Sequence, residues 1–183
     1  ILVYADCKYI LSVPREVFLK TNIKIGYEIT EEEIETISSE IGFYKAKSRA
    51  YNILSYRSHS KKELEEKIRR KTGISNPEKV VSKMEEIGLI DDKKYALEYA
   101  YHLFKNKLYG VKRIAFELSK KGISKENINF AIESLDMNEY ENIKKIVSKK
   151  NIEDEKEKKK IIANLIRRGY SWEKINSVLN NDF

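Results

Sequence analysis

The chain has 183 residues, 41% hydrophobic and 36% charged, with a formal net charge of +7 at pH 7, enough for one domain or a short array of small ones sharing a modest core. A single cysteine excludes an internal disulfide framework and fits a reducing compartment. No apolar run approaches the roughly 18 residues of a membrane span and no cleavable signal pattern opens the chain, so a cytoplasmic protein without membrane association is expected.

Charge is distributed unevenly. Residues 1–43 carry four Lys/Arg against eight Asp/Glu, and residues 44–90 carry twelve against six. The basic excess lies beyond the N-terminal part and favours an acidic partner, either nucleic acid or an acidic protein groove.

The opening Ile1-Leu2-Val3, without an initiator methionine, suggests a chain that begins inside a longer one. From Leu2 to Val13, β-branched and aromatic residues flank Ala5-Asp6-Cys7-Lys8, which predicts two short strands joined by a turn, with Cys7 as a small buried apolar residue in a strand. Pro14 suits the first position of a helix, and Glu16 to Lys20 predict one or two helical turns. Thr30 before Glu31-Glu32-Glu33 reads as an N-cap followed by an acidic first turn, giving a helix from Glu31 to about Ser39 that Gly42 punctuates.

Three later segments repeat one pattern. An apolar-spaced helix ends in a basic pair, then a glycine, an apolar residue and a serine: Arg70-Lys71 with Gly73-Ile74-Ser75, Lys120-Lys121 with Gly122-Ile123-Ser124, and Arg167-Arg168 with Gly169-Tyr170-Ser171. These glycines lie 49 and 47 residues apart, a period of tandem helical units. All seven glycines fall where a junction is expected, since glycine inside a helix costs about 1 kcal/mol relative to alanine.

In the middle unit, Asp91 or Asp92 caps a helix with an apolar stripe of Tyr95, Ala96, Tyr99, Ala100, Leu103 and Phe104. Tyr109-Gly110 ends that connection. A second helix carries Val111, Ile114, Ala115 and Leu118 to a left-handed stop at Gly122, and Ser124 caps a third with Ile128, Ala131, Ile132 and Leu135 inside. The first unit aligns with it: Ala46, Ala50, Ile53 and Leu54 stand for Ala96, Ala100, Leu103 and Phe104, and Leu64 and Ile68 for Ile114 and Leu118, with one extra residue, Thr72. Its third helix starts at Asn76-Pro77 and uses Val80, Val81, Met84 and Ile87. The third unit uses Ile143, Ile146 and Val147, then Ile161 and Leu165, then Ile175, Val178 and Leu179. The charged stretch Glu153 to Lys160 reads as a loop or an extended helix start, its charges those of a solvated helix end.

The fold expected is mainly α: three tandem three-helix repeats (44–90, 91–137 and 138–183) in an elongated, curved array, preceded by a small αβ extension (1–43) of a β-hairpin and short helices.

No phosphate-cradling glycine loop is present. The two histidines, His59 and His102, lack cysteine partners or an H-E-x-x-H arrangement, and Asp91-Asp92 is explained by capping, so no metal, cofactor or catalytic constellation is expected. The basic pairs carry two readings. Cations at helix C-termini are favoured by the dipole, by about 0.3–1 kcal/mol each, yet each unit supplies two, and a periodic row can track phosphates or an acidic groove. Tyr56, Tyr109 and Tyr170 beside these cations are either packing residues or stacking platforms for a single strand.

Four segments in order resemble the RecX family of regulatory proteins: Leu54 to Leu64, Gly88 to Ala96, Tyr109 to Leu118 and Arg167 to Ser171. The likeness spans Tyr44 to Leu179, and residues 1–43 resemble an N-terminal extension found in some members. His59 departs from the pattern, since the family often has arginine or lysine there. The resemblance implies three three-helix repeats and a non-enzymatic modulator of the RecA recombinase. Such proteins lie in the groove of the RecA filament on single-stranded DNA and restrict filament growth, ATP hydrolysis and strand exchange, although some members act in the opposite sense. The candidate contacts are Arg57, Arg69, Arg70, Lys71, Lys112, Arg113, Lys120, Lys121, Arg167 and Arg168. The partners expected are the RecA filament and single- or double-stranded DNA, with the chain a monomer. A direct DNA-binding helical-repeat protein, structural or transcriptional, is the alternative.

Overall fold

The computed structural model describes residues 1–148 and 154–180, which form two compact units dividing at Ile90/Asp91. In the first unit, strands β1 (Leu2–Ala5) and β2 (Lys8–Ser12) pair antiparallel with a bulge at Val3/Tyr4. Asp6 and Cys7, at φ 49° and 62°, form the two-residue turn, the geometry whose twist matches that of the flanking strands. Cys7 is therefore an exposed turn residue, not the buried strand residue expected.

Helix α1 (Arg15–Phe18) is a single turn, and Pro14, expected at the first helical position, stands one place before it, at an N-cap without a side-chain hydrogen bond. Helix α2 (Glu31–Leu54) starts at a capping box: the Thr30 hydroxyl accepts from the Glu33 amide, and the Glu33 carboxylate accepts from the Thr30 amide at 2.9 Å. It does not stop near Ser39. Its N-terminal half packs Ile37 and Ile41 with Val3, Val13 and Val17, and its C-terminal half packs Ala46 and Ala50 with the helices that follow. Gly42 lies inside this helix, correcting its reading as a junction. Two apolar anchors on each side hold the helix through it, and together they outweigh a propensity cost of about 1 kcal/mol.

Ala46 and Ala50 close a three-helix core with α3 (Lys61–Thr72) and α4 (Pro77–Glu86), filled by Leu64, Ile68, Val80, Val81 and Met84. Of the expected stripe only Ile87 is exposed, and Ile90, not named in it, is buried here instead. The turn at Gly88 explains it: α4 ends before Ile87, and the chain swings Ile90 back inward.

The second unit holds two further three-helix groups: α5 (Asp92–Lys107), α6 (Val111–Lys120) and α7 (Lys125–Ser134), then α8 (Glu139–Val147), α9 (Glu155–Arg167) and α10 (Trp172–Leu179). Asp91 caps α5 through the amides of Lys93 and Lys94, both at 2.9 Å. Each group has its own apolar core, around Ala96, Phe104, Ile114, Leu118 and Ala131 in one and Ile143, Ile161, Leu165 and Ile175 in the other. Asp154 caps α9, so the described part of the charged stretch is a solvated helix start, while Glu153 lies outside the described residues.

The recurring pattern is now legible atom by atom. After α6, Ile123 N–H donates to Leu118 O at 3.2 Å and Gly122 N–H to Ser119 O at 2.9 Å; after α9, Tyr170 donates to Leu165 at 3.2 Å and Gly169 to Ile166 at 2.9 Å. This pair of bonds closes a helix on a left-handed glycine. The apolar residue behind each glycine, Ile123 or Tyr170, is buried, and Ser124 and Ser171 cap α7 and α10.

Candidate functional site

Along and just past α2, Arg49, Asn52, Ile53 and Tyr56 recur at i, i+3, i+4 and i+7, and on α3 Lys67, Arg70 and Lys71 recur at i, i+3 and i+4, so each set shares a face. With Arg57 and His59 they line an open cleft of about 640 Å³ in the first unit. Arg57 is positioned by the Glu63 carboxylate, at 3.3 and 3.4 Å, and by the Ser58 carbonyl at 2.8 Å. Tyr56 is 88% exposed, so it packs against nothing substantial.

His59 is buried. Its Nδ1 stands 2.8 Å from the Arg57 carbonyl, which can only accept, so Nδ1 carries the proton and Nε2 accepts from the Lys67 ammonium at 2.7 Å. Burial chiefly pushes the imidazole below its ordinary value of 6.5, helped by the charges of Arg57 and Lys67 against the Arg57 carbonyl and Glu63. The unfolded chain therefore takes up this proton first: the contribution to stability is full above about pH 6.5 and falls as pH drops through that value toward the folded one. Thermal unfolding followed by circular dichroism should show the loss between pH 7 and 5, and a His59→Gln variant should be flatter across that window.

In the second unit the connection from α5 to α6 receives Arg168. Its Nη1 donates to Lys107 O at 2.5 Å and its Nε to Asn164 Oδ1 at 2.9 Å, while its carbonyl accepts from Gly110 N–H at 2.8 Å. Arg168 thus ties two helix groups together, and the outward cation of that pair is Arg167. Tyr170 is buried with its hydroxyl donating to Leu108 O at 2.8 Å; burial first, then the charge of Glu139, hold its phenol well above the usual range. It is a packing residue and not a stacking platform. Tyr109, Arg113, Asn164, Arg167 and Arg168 line a recess of about 270 Å³.

The remaining candidates separate. Arg69 turns to Glu65 at 2.7 Å, away from the first-unit cleft. Lys112 is exposed. Arg113 pairs with Glu117 at 2.6 Å and lies 5.3 Å from the ring of Phe116, over which Lys120 also sits at 5.5 Å, whereas Lys121 sits over Tyr99 at 5.9 Å. Phe116, half exposed between two cations, was not singled out from the sequence; its place opposite the buried Ile114–Leu118 stripe was the available signal. Arg49 and Lys67 were also missed, although their i, i+3, i+4 spacing with the named residues was readable.

A family model for the second three-helix domain of RecX matches residues 91–132, and one for the third matches residues 138–179. The regulatory protein RecX of Clostridioides difficile (strain 630) is 32% identical over 97% of this chain and 87% of its own length. The chain belongs to the RecX family. The regulatory protein RecX of Caldanaerobacter subterraneus is likewise 32% identical, over 97% of this chain and 91% of its own. Among solved structures, a crystal structure of regulatory protein RecX aligns with a TM-score of 0.78 at 25% identity, covering 98% of this chain and 92% of that one. RecX from Lactobacillus salivarius aligns at 0.66 and 27%, over 76% and 96%. Clustered surface cations are thus carried by a chain whose RecX relatives are named as regulators. Among the described residues no helix is long and apolar enough to cross a membrane.

Proposed function

We propose that this RecX family member is a non-enzymatic regulator that binds RecA and its filament on single-stranded DNA and restrains filament growth, ATP hydrolysis and strand exchange. The observation that carries the reading is the near full-length match to relatives named regulatory protein RecX. The cationic recesses support it, because they offer Arg57, Arg70 and Lys71 in one unit, and Arg113 and Arg167 in the other, to phosphates or acidic protein surface. Lys112, Lys120 and Lys121 lie on the surface of α6 and its end and belong to the same proposal, with Arg69 at its margin; Arg168 acts through the joint it holds.

The test is a titration of the chain into RecA assembled on single-stranded DNA, following ATP hydrolysis and filament length together. Arg70→Glu/Lys71→Glu and Lys120→Glu/Lys121→Glu should each weaken inhibition by about tenfold or more, since a repelling charge replaces an attracting one, with the helical signal unchanged. Full inhibition by a folded double variant removes that pair from the proposal, and a wild-type chain that changes neither readout ends it.

A second reading, direct contact with DNA, is favoured by Tyr56 and Phe116, exposed aromatics beside cations. It requires salt-sensitive DNA affinity in the absence of RecA.

A further inference from the structure

The first-unit cleft contains more positive charge than the recurring basic pair accounts for. Five cations line it, Arg49, Arg57, Lys67, Arg70 and Lys71, and among the described residues no carboxylate does. Glu63, bonded to Arg57 at its edge, offsets one of them, leaving a formal excess of four. The second unit shows that the fold does not require this. Where Ala96 answers to Ala46 and Ile114 to Leu64, the counterpart of Arg49 is Tyr99 and that of Lys67 is Glu117. There Glu117 pairs with Arg113 at 2.6 Å and Tyr99 receives Lys121. The helix dipole explains a cation at the end of α3; it does not explain Lys67 a turn earlier or Arg49 on the facing helix. Within α3, Glu63 and Glu66 stand four residues before Lys67 and Arg70 and balance part of this charge, whereas Lys71 has Lys67 at that spacing, a like pair that is destabilising and that an anion in the cleft would relieve.

The form of the charge narrows the class of anion. The cations converge from α2 and α3 on one cleft of ligand-pocket size instead of running in file along a groove. A nucleic-acid strand brings one negative charge per nucleotide, whereas three linked phosphates bring roughly four, the terminal one contributing nearly two. Lys67 is held in place by His59 Nε2 at 2.7 Å and Arg57 by Glu63, so part of the site is ordered before any ligand arrives. Tyr56 stands exposed at the rim, with Asn52 one turn before it, as a platform and an amide for a base.

We propose that this cleft binds a nucleoside polyphosphate, its phosphates among Arg49, Lys67, Arg70 and Lys71 and its base on Tyr56, so that a small anion competes for the Arg70 and Lys71 assigned above to the filament.

Isothermal titration of the full chain, without RecA, uses ATP and inorganic tripolyphosphate as probes at about 0.15 M salt, where diffuse attraction is screened beyond roughly 8 Å. One saturable site per chain is expected for each. Arg49→Ala, at an exposed position where folding is not at stake, and Lys67→Ala should each lower affinity about tenfold, while Lys120→Ala/Lys121→Ala should leave it unchanged. Tyr56→Ala should weaken ATP several-fold and tripolyphosphate not at all. Absence of saturation overturns the proposal, as does an equal loss in the Lys120/Lys121 variant, which would mark unspecific charge attraction. A cleft that Arg49→Ala silences toward a thymidine oligonucleotide while tripolyphosphate never binds would make it a strand site and overturn the proposal too. Since RecA is absent, none of these results depends on the filament reading.

Discussion

Gly169→Ala should destabilise the second unit by about 3–5 kcal/mol, the range expected when a left-handed backbone and a core overlap are forced together. Gly169 has φ +91°, and a Cβ there would stand 2.4 Å from Arg113 N, 2.6 Å from Arg113 Cβ and 3.0 Å from Arg113 Cα. Its counterpart across the joint is Gly110, whose own Cβ would meet the carbonyl carbon and oxygen of Gly169 at 2.7 Å. Two backbones touch here, so the added methyl meets atoms that no rotamer change can move. The chain's single tryptophan, Trp172, lies in α10 just beyond Gly169, and its fluorescence in a urea titration reports this unit. A loss of 3 kcal/mol should move its midpoint down by about 1–3 M, given slopes of roughly 1–3 kcal/mol per M. Gly73→Ala supplies the contrast. It too has a positive φ, +66°, but no atom within 4 Å of the added Cβ, so only the conformational cost of about 1–2 kcal/mol remains. Because Gly73 lies in the first unit, the two variants are compared by circular dichroism, and a midpoint shift for Gly169→Ala no larger than that for Gly73→Ala would show that the joint opens readily.

Gly169 also marks how far the sequence could be read. Its spacing from Gly122 and Gly73 predicts a helix stop, and the stop is there. Nothing local announces that this glycine also meets another backbone, because its partner Arg113 lies 56 residues earlier in the chain. The same limit applies to Arg168. As one of a basic pair it reads as a surface cation, and only the folded chain brings it to the carbonyl of Lys107, 61 residues away. Periodic features were legible, namely the apolar stripes, the caps at Thr30, Asp91, Ser124 and Ser171, and the charge excess of the first repeat. Features that depend on competition were not. Gly42 is a helix stop by propensity, yet Ile37, Ile41, Ala46 and Ala50 bury around it and carry α2 through. Cys7 is apolar by type, but the tight turn between short strands needs two left-handed residues and takes it. His59 occupied a place where the family pattern has a cation; its burial keeps the ring neutral and makes it an acceptor for Lys67, so the charge is supplied by the neighbour.

Glu139→Ala should cost the second unit about 2–4 kcal/mol, although nothing in the sequence distinguishes this carboxylate from the 28 other acidic residues. It is 5% exposed, and it is held because another helix cannot cap itself. α6 begins at Gly110, which has no side chain to accept from the first amides and cannot acquire one, since a Cβ there would strike Gly169. Glu139, on α8, supplies the acceptor instead: its Oε1 takes the Val111 N–H at 2.9 Å, placing a negative charge at the positive end of α6. Its Oε2 accepts from the Lys174 ammonium on α10. One carboxylate therefore serves three helices. Lys174 is partly solvated, its side chain 37% exposed, so the ion pair alone is the lesser part, and the orphaned Val111 amide and the uncapped helix are the greater. This ordering gives a discriminating comparison. Glu139→Gln keeps a carbonyl for Val111 and should lose only about 1–2 kcal/mol. Lys174→Met added to Glu139→Gln, so that no buried carboxylate is left without its cation, keeps the acceptor for Val111 and should lose less than Glu139→Ala. If the Glu139→Gln/Lys174→Met double variant proves as costly as Glu139→Ala in Trp172-monitored unfolding, the ion pair and not the borrowed cap is what holds the start of α6 in place.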